Sequence, residues 1–541
     1  GPDGRLYFNF GNTNAGLWKE DGTLVKDVFG NPVDNSRNPY MQGMVIRCEL
    51  DGSRVEVLGY NFRNNWEVTV DSFGTLWQSD NDNGWSSCRV NYIMEYGNFG
   101  YNDELTGLGY QSKRTNMEAT MQRQMWHQND PGVVPNLLIT GPGAPTGILV
   151  YEGNLLPKEF HGQLIHAEPG QNVVWSFPVE KDGAGYSASI TPILKSHSDL
   201  TYRPSDVSVA PDGSLIIADW YDPVDCCHRT YDDTGRIYRV APPGVAYKVP
   251  QFDFKSAKGA AQALRNANLS VRYMAWTALN KMGKIALPEL RKMARDSNPY
   301  FRARALWLMA EVTGEMQQTI ELALKDHSDD IRALALRITR RHRRPIEPVV
   351  RRLAHDTSAL VRRECAISLH RQVTPEAAEL WAELALQHDG KDRWYLEALG
   401  IGEKDNESAC FETWLTKAGS AWDTPAGHDI IWRSRAPDAA TYLAKLLLAP
   451  NVAEPESKRL MRALDFHTGK TKEVALTAIL SAGPESRPWT FLEAFQRIDP
   501  SLLDSRPDLM AQVEAAIPHS KGTVTFVDLV ARFDRRDLSS H

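Results

Sequence analysis

Residues 202–220 read YRPSDVSVAPDGSLIIADW. Pro211-Asp212-Gly213 is a tight turn in which Gly supplies a positive φ, and Ser214-Leu215-Ile216-Ile217 reads as the buried strand it feeds. The element recurs as Pro2-Asp3-Gly4-Arg5-Leu6-Tyr7-Phe8 and as Asp71-Ser72-Phe73-Gly74-Thr75-Leu76-Trp77. Each strand runs into a polar cluster: Gly11-Asn12, Asp80-Asn81-Asp82, or Asp219-Trp220-Tyr221-Asp222. Gly4, Gly74 and Gly213 lie 70 and then 139 residues apart, near one and two units of a common spacing. Such a repeated turn–strand unit predicts β-propeller blades with long insertions; a β-sandwich is the competing reading.

Beyond the Pro242-Pro243-Gly244 and Pro250 linker the period changes. Val271-Arg272, Phe301-Arg302, Ile331-Arg332 and Val361-Arg362 are spaced by 30 residues each time. Asn266, Asp296, Asp326 and Asp356 precede them by five, as N-cap or loop residues. Ala275, Ala305, Ala335 and Cys365 follow by four, small enough for close helix contact. A fifth unit stands at Trp394, after a slip to 33. These phase-locked positions predict an α-solenoid of HEAT-like repeats. The boundaries expected are a propeller over 1–245, a linker over 246–258, HEAT-like repeats over 259–400 and degenerate helical repeats over 401–541.

The 541 residues are 42% hydrophobic and 24% charged, which is a globular composition with enough apolar residues for a sizeable core. A net charge of −7 argues against a general nucleic-acid binder. No apolar run is long enough for a transmembrane helix. The six cysteines form no CxxC pair, so no Cys-rich zinc site and no haem attachment motif is present. No GxSxG, HExxH, Walker or GxGxxG pattern occurs. Gly1-Pro2-Asp3-Gly4 has no element leading into it, and the helix pattern at 526–533 has no cap. Both ends therefore read as the interior of a longer chain.

Several side chains could carry chemistry by themselves. Arg63 and Arg203 each sit where a strand meets a turn, and in a propeller such guanidinium groups can face the channel and grip a carboxylate in bidentate fashion; a blade-to-blade salt bridge is the plainer role. Asp80 and Asp82, within Asp80-Asn81-Asp82-Asn83-Gly84, offer oxygen ligands suited to Ca²⁺, or else an Asx-rich turn. Asp219 and His228, beside Trp220 and Tyr221, could hold a metal or stack on a sugar, or form a blade-end turn. His161 and His166 are the visible acid/base candidates, with a structural role as the alternative. Cys226 and Cys227 are adjacent, and are open to a vicinal disulfide, a free pair, or pairing with Cys48 and Cys88. Arg337, Arg340, Arg341, Arg343 and Arg344 read as a docking patch for an acidic partner or as a solvated helix end.

Four stretches together resemble one known family. GPDGRLYFNFGN (1–12), GYNFRNNWEVTVDSFGTLWQSDNDN (59–83), GAPTGILVYEGNLLPKEFHGQLI (143–165) and the 202–220 stretch are similar, in order, to motifs of soluble quinoprotein glucose and sorbosone dehydrogenases, which are six-bladed propellers. Propeller plus HEAT-like repeats further resembles the large membrane-bound-type dehydrogenases of planctomycetes and verrucomicrobia, which commonly continue into a c-type cytochrome domain. The resemblance implies pyrroloquinoline quinone (PQQ) and Ca²⁺ as cofactors and a sugar or polyol substrate. It also implies an exported, periplasmic setting and electron transfer to a cytochrome c-like partner. Arg63, Asn64, Arg203 and Asp206 fall on the family's cofactor positions, while the catalytic His would precede Gly1. Asn12 and Ser205 depart from the family's Asp and Arg. Those departures favour the alternative, a non-catalytic carbohydrate- or protein-binding propeller on a HEAT scaffold.

Overall fold

The computed structural model describes residues 1–531 apart from 14–15, 83, 85, 111–117, 199, 222–234, 451, 484–487, 500, 502–505, 517–519, 523–525 and 528–529. A β-sheet region is followed by a helical region. The strands are β1 (Leu6–Phe10), β2 (Gly43–Cys48), β3 (Glu56–Phe62), β4 (Asn64–Val70), β5 (Leu76–Asn81), β6 (Cys88–Ile93), β7 (Gly97–Asn98), β8 (Leu138–Gly141), β9 (Ile148–Val150), β10 (Leu164–Glu168), β11 (Val173–Phe177), β12 (Val179–Asp182), β13 (Gly185–Ala188), β14 (Thr191–Lys195), β15 (Pro204–Val209), β16 (Leu215–Asp219) and β17 (Arg236–Val240). They form sheets in the orders β1-β2-β3-β7, β4-β5-β6-β8, β9-β10-β11-β14 and β15-β16-β17, with β12-β13 as a separate hairpin. Apart from the short parallel β3–β7 pair, every ladder is antiparallel. The first strands of successive sheets pack together, β4 on β9 and β9 on β15.

The recurring turns are built as their residues dictate. Gly4, Gly74 and Gly213 have φ of 76°, 86° and 92°, the region where a Cβ is costly. The turn Asp ties the backbone: Asp71 Oδ1 accepts from the N–H groups of Phe73 (2.9 Å) and Thr75 (2.8 Å), and Asp212 Oδ1 from that of Ser214 (2.9 Å). The strands that follow bury alternate apolar side chains. Leu215 and Ile217 join Val207, Val209, Ile165 and Tyr151 in one core, while Met44, Ile46 and Val57 form another behind β1.

The structure forms two compact units. The first comprises 1–128, 133–369 and 392–401, so it includes the sheets and the first helices. After a single turn of helix, α1 (Met121–Gln124), these are α2 (Ala257–Ala263), α3 (Leu269–Met282), α4 (Leu287–Met293), α5 (Pro299–Glu311), α6 (Met316–Ala323), α7 (Asp329–Arg341), α8 (Glu347–Leu353) and α9 (Ala359–Ser368). The 30-residue period becomes an ion ladder. Arg302 grips Asp326 with two 2.8 Å bonds, and Arg332 grips Asp356 at 2.6 and 2.8 Å. The repeated Asn and Asp residues are loop residues, each bonding the N–H of the actual N-cap two residues on: Asn268, Asn298, Ser328 or Ser358. Ala275, Ala305, Ala335 and Cys365 are fully buried at the helix contacts.

The long helices are sandwiched. Every residue of α5 from Ala303 to Ala310, and of α7 from Ala333 to Thr339, is buried, because the short helices cover one side and the sheet turns the other. An all-round buried helix is unusual for a surface solenoid. Most of the guanidinium groups on the sheet side are ion-paired; an exception is Arg363, whose Nη1 donates to the Ala184 carbonyl (2.6 Å) while Nε and Nη2 have no hydrogen-bond partner. Glu152 receives Arg272 and Arg304 (2.9 Å) together with the Ser72 hydroxyl (2.8 Å). Arg337 donates to the Phe73 carbonyl (3.0 Å) and to Glu364 (3.0 Å). Arg340 bridges Glu95 and Glu364, and Arg341 pairs with Glu49. Arg337, Arg340 and Arg341 are thus internal cross-links rather than a free basic patch.

The second unit comprises 129–132, 370–391 and 402–541. The chain enters it with α10 (Pro375–Ala385), returns to the first unit for nearly all of α11 (Arg393–Gly402), and then stays. In the second unit α10 packs on α12 (Glu407–Ala418). After α13 (Pro425–Arg433), α14 (Ala439–Leu448) packs on α15 (Glu454–Asp465) and α16 (Gly469–Ser481). Arg462 binds Asp130 in bidentate fashion (2.9 and 2.7 Å), with both side chains nearly inaccessible. Glu403 is buried and its carboxyl is pushed up to about 7 by desolvation.

Cys48, Cys88, Cys365 and Cys410 are free and buried; Cys226 and Cys227 lie outside the described residues. No helix among the described residues is long and apolar enough to cross a membrane.

Candidate functional site

The strands that follow the Asp-Gly turns begin against the helices. Gly4 lies on Trp276, Gly74 on Trp307 and Gly162 on Tyr300, and the Pro211 carbonyl accepts from Asn266. Their far ends therefore collect at the opposite, open end of the sheets. A continuous series of contacts joins them there. The Asn12 N–H donates to the Arg63 carbonyl (2.7 Å). Arg63 Nη1 donates to Asn81 Oδ1 (2.7 Å), and Asn81 reaches the Gly143 carbonyl (3.4 Å). Glu168 accepts from the N–H groups of Ala144 (2.5 Å) and Gly170 (3.1 Å). Arg203 Nη1 donates to the Pro169 carbonyl (2.9 Å), and the Arg203 N–H donates to Asp219 (2.8 Å). Arg63, Asn64, Arg203 and Asp206, from separate stretches of chain, thus share one rim.

Their states differ. Asn64 and Asp206 are exposed, while Arg63 and Arg203 are half-buried. Arg203 Nε is buried without a hydrogen-bond partner. An unused guanidinium N–H suits an anionic group better than a neutral one, although Arg272, Arg337 and Arg363 at the helix-facing end share this feature. Asp206 lies against Gly147, where a Cβ would strike its carboxylate.

The expected metal ligands are committed to protein groups. Asp80 is fully buried, binds Arg89 through Oδ2 (2.8 and 3.1 Å) and accepts the Asn64 N–H through Oδ1 (2.9 Å). Burial pushes both partners toward neutrality, the carboxyl upward and Arg89 down to about 10, while their contact holds them charged. Asp82 accepts from the N–H groups of Gly84 (2.9 Å) and Ser87 (2.5 Å), the geometry of an Asx turn. Asp219 takes the Tyr221 N–H (3.0 Å) and Arg236 (2.9 Å). His228 lies outside the described residues. Among the described residues no group of three or more His, Cys, Asp or Glu is placed to hold a metal.

The two histidines are placed apart from the rim's exposed surface. His166 is fully buried against Phe177, both ring nitrogens lack partners, and burial lowers its pKa to about 3. His161 Nε2 bonds the Leu156 carbonyl (2.8 Å) at the helix-facing end. Two carboxyls not singled out from sequence stand out instead. Glu67 on β4 is half-buried, and desolvation with the nearby charge of Asp206 raises it to about 7 against the Ile148 N–H bond (2.7 Å). Glu168 is fully buried and raised to about 7, chiefly by desolvation, and its Oε2 is unpartnered. A Glu within an apolar strand, as in Trp66-Glu67-Val68, was the available signal for the first. Nothing local marked the second.

A family model described as a domain of unknown function (DUF7133) matches residues 1–244, somewhat less than half of the chain. No curated protein matches. Among solved structures the chain is similar to an oxidoreductase described as a glucose dehydrogenase from Thermus thermophilus, at 17% identity and a TM-score of 0.28, covering 44% of this chain and 62% of that one. It is also similar to the PQQ-bound aldose sugar dehydrogenase of Streptomyces coelicolor, at 16% identity and a TM-score of 0.28, over 44% and 75% of the two chains. A third is the PQQ domain of pyranose dehydrogenase from Coprinopsis cinerea, at 16% identity and a TM-score of 0.22, over 32% and 58%. The chain spans less than two thirds of the length of the first of these.

Proposed function

We propose that residues 1–245 are propeller blades of a quinoprotein-like oxidoreductase acting on a sugar or polyol, carried on a HEAT-like solenoid. The observation that carries this reading is the placement of Arg63 and Arg203 at the same end of the sheets, with a buried guanidinium N–H of Arg203 left unused. The four sequence motifs point the same way. PQQ, when bound, would take up the two electrons and the hydrogen leaving the substrate carbon. Arg63 and Arg203 would hold its carboxylates, and Asn64 and Asp206 would border it. Glu67, half-buried and raised to about 7, is a group of this chain able to accept a hydroxyl proton. Ca²⁺ is supported by resemblance alone, since Asp80, Asp82 and Asp219 are engaged by protein partners. Export, a periplasmic location and a cytochrome c-like electron acceptor belong to the same proposal and rest on the resemblance.

Asn12 and Ser205, at positions where the family has Asp and Arg, favour a second reading: a binding module without turnover. PQQ titration of the full chain, followed by dye reduction on a sugar and polyol panel, separates the two. The dehydrogenase reading expects saturable binding that weakens about tenfold or more in Arg203→Ala and in Arg63→Ala. It also expects turnover that falls in Glu67→Gln without loss of binding. A folded chain that binds no PQQ overturns the reading.

A further inference from the structure

At the helix-facing end, opposite the rim, the first unit holds an open-mouthed pocket of about 110 Å³ between β5, β10, the β12–β13 hairpin and the starts of α5 and α7. This is room for several waters or a small organic molecule. Its walls are of two kinds. Phe73 and Tyr300 stand with ring centroids 5.0 Å apart, and Trp77 and Tyr186 4.9 Å apart, so aromatic surface lines both sides. Between them are groups able to give and accept hydrogen bonds. Asp71 is buried, its Oδ1 is occupied by two backbone N–H groups, and its Oδ2 accepts none. Thr75 Oγ1 accepts from Arg337 (3.1 Å), which leaves its O–H to donate. Lys181 reaches Asp329 (2.5 Å) and Asp330 (2.8 Å) at the mouth.

Carboxylates among aromatic rings suit an organic cation as well as a hydroxylated ligand. Lys181, held by Asp329 and Asp330, keeps a third ammonium hydrogen that a hydroxyl can accept and an organic cation cannot use. Apolar faces for C–H groups, with donors and acceptors together at the edges, are the needs of a polyol.

We propose that this cavity is a binding site for a small polyol, held between Trp77 and Tyr300 with its hydroxyls on Asp71, Thr75 and Lys181. It is separate from the rim, so it stands or falls independently of the oxidoreductase reading.

The test is saturation-transfer NMR on the full chain with glycerol and erythritol, with tetramethylammonium as the cationic probe. The expected result is saturable polyol binding that weakens about tenfold in Asp71→Asn and in the surface variant Lys181→Met. Lys181→Met changes a side chain that is 42% exposed, so it reports on the site even if the buried variant unfolds. Non-saturable polyol signals, equal affinity in Lys181→Met, or tighter binding of tetramethylammonium than of erythritol would each overturn the proposal.

Discussion

At the helix-facing end of the sheets, Glu152 meets two guanidinium groups and a hydroxyl, and Glu364 meets Arg337 and Arg340, with none of these charged side chains more than 15% exposed. At the open end, Arg203 gives one N–H to a carbonyl and keeps another unused, and Glu168 and Glu67 sit near pH 7 with no cation among the described residues against either carboxylate. The same strands run between the two ends. At the helix-facing end the buried carboxylates Glu152 and Glu364 are each met by two guanidinium groups, although Asp71 Oδ2 and guanidinium N–H groups of Arg272, Arg337 and Arg363 stay without hydrogen-bond partners; at the open end Glu168 and Glu67 meet no guanidinium among the described residues. Unsatisfied buried groups cost stability, and they are retained where a ligand can complete them. The contrast is one of charge pairing: Arg–Glu clusters tie the sheets to the helices at one end and, among the described residues, are missing from the other.

The sharpest way to break this comparison is Arg304→Ala. It leaves Glu152 buried with one guanidinium fewer, and we expect a loss of about 3–5 kcal/mol in denaturant unfolding. A loss below about 1 kcal/mol would show that the helix-facing network is dispensable.

Next in size is the pH response, where raised and lowered carboxyls oppose each other. Glu168 titrates near 7 in the folded state, above its unfolded value, so its contribution is full at acid pH and is lost as pH rises through 7. Glu364 and Glu56 are buried, yet both are lowered to about 2 because the Arg337 and Arg47 contacts outweigh their desolvation. Their contribution is present above the ordinary glutamate value and lost as pH falls toward 2. Stability should therefore decline on both sides of mildly acid pH. Glu168→Gln keeps the acceptor for Ala144 and Gly170 but cannot ionise. It should flatten the decline between pH 5 and 8 by on the order of 2 kcal/mol, measured as Tm against pH. An unchanged slope would place the ionisation elsewhere.

Gly74→Ala comes third. Its φ of 86° and the Trp307 ring beside it predict a loss of about 1–2 kcal/mol by thermal unfolding. Gly30→Ala has a similar φ but open space around it, and should lose less. Smallest in stability is Arg203→Ala, at about 1 kcal/mol or below, and there the comparison is sharpened: a near-silent change in unfolding should accompany the loss of anion binding at the rim.

How much of this was legible follows from range. The Asp-Gly turns at Gly4, Gly74 and Gly213 were readable because a positive φ and an Asx bond are settled within four residues. The 30-residue helical period was readable because Arg302–Asp326 and Arg332–Asp356 repeat a local spacing. Arg63 and Arg203 could be singled out by motif, yet no spacing says that residues 140 apart will border one rim.

The arginine run at 337–344 shows the limit. By composition it reads as a solvated helix end or a docking patch. Arg337, Arg340 and Arg341 were drawn inward because the Phe73 carbonyl, Thr75, Glu95 and Glu49, more than 240 residues upstream, close over them, while Arg343 and Arg344 stay exposed. Turn geometry, strand alternation and helix period are local properties, and the sequence by itself determined them. Which charges were buried, which were paired and which carboxyls moved to neutral pH was decided only by the tertiary structure, because desolvation depends on what packs against a group and not on its neighbours along the chain.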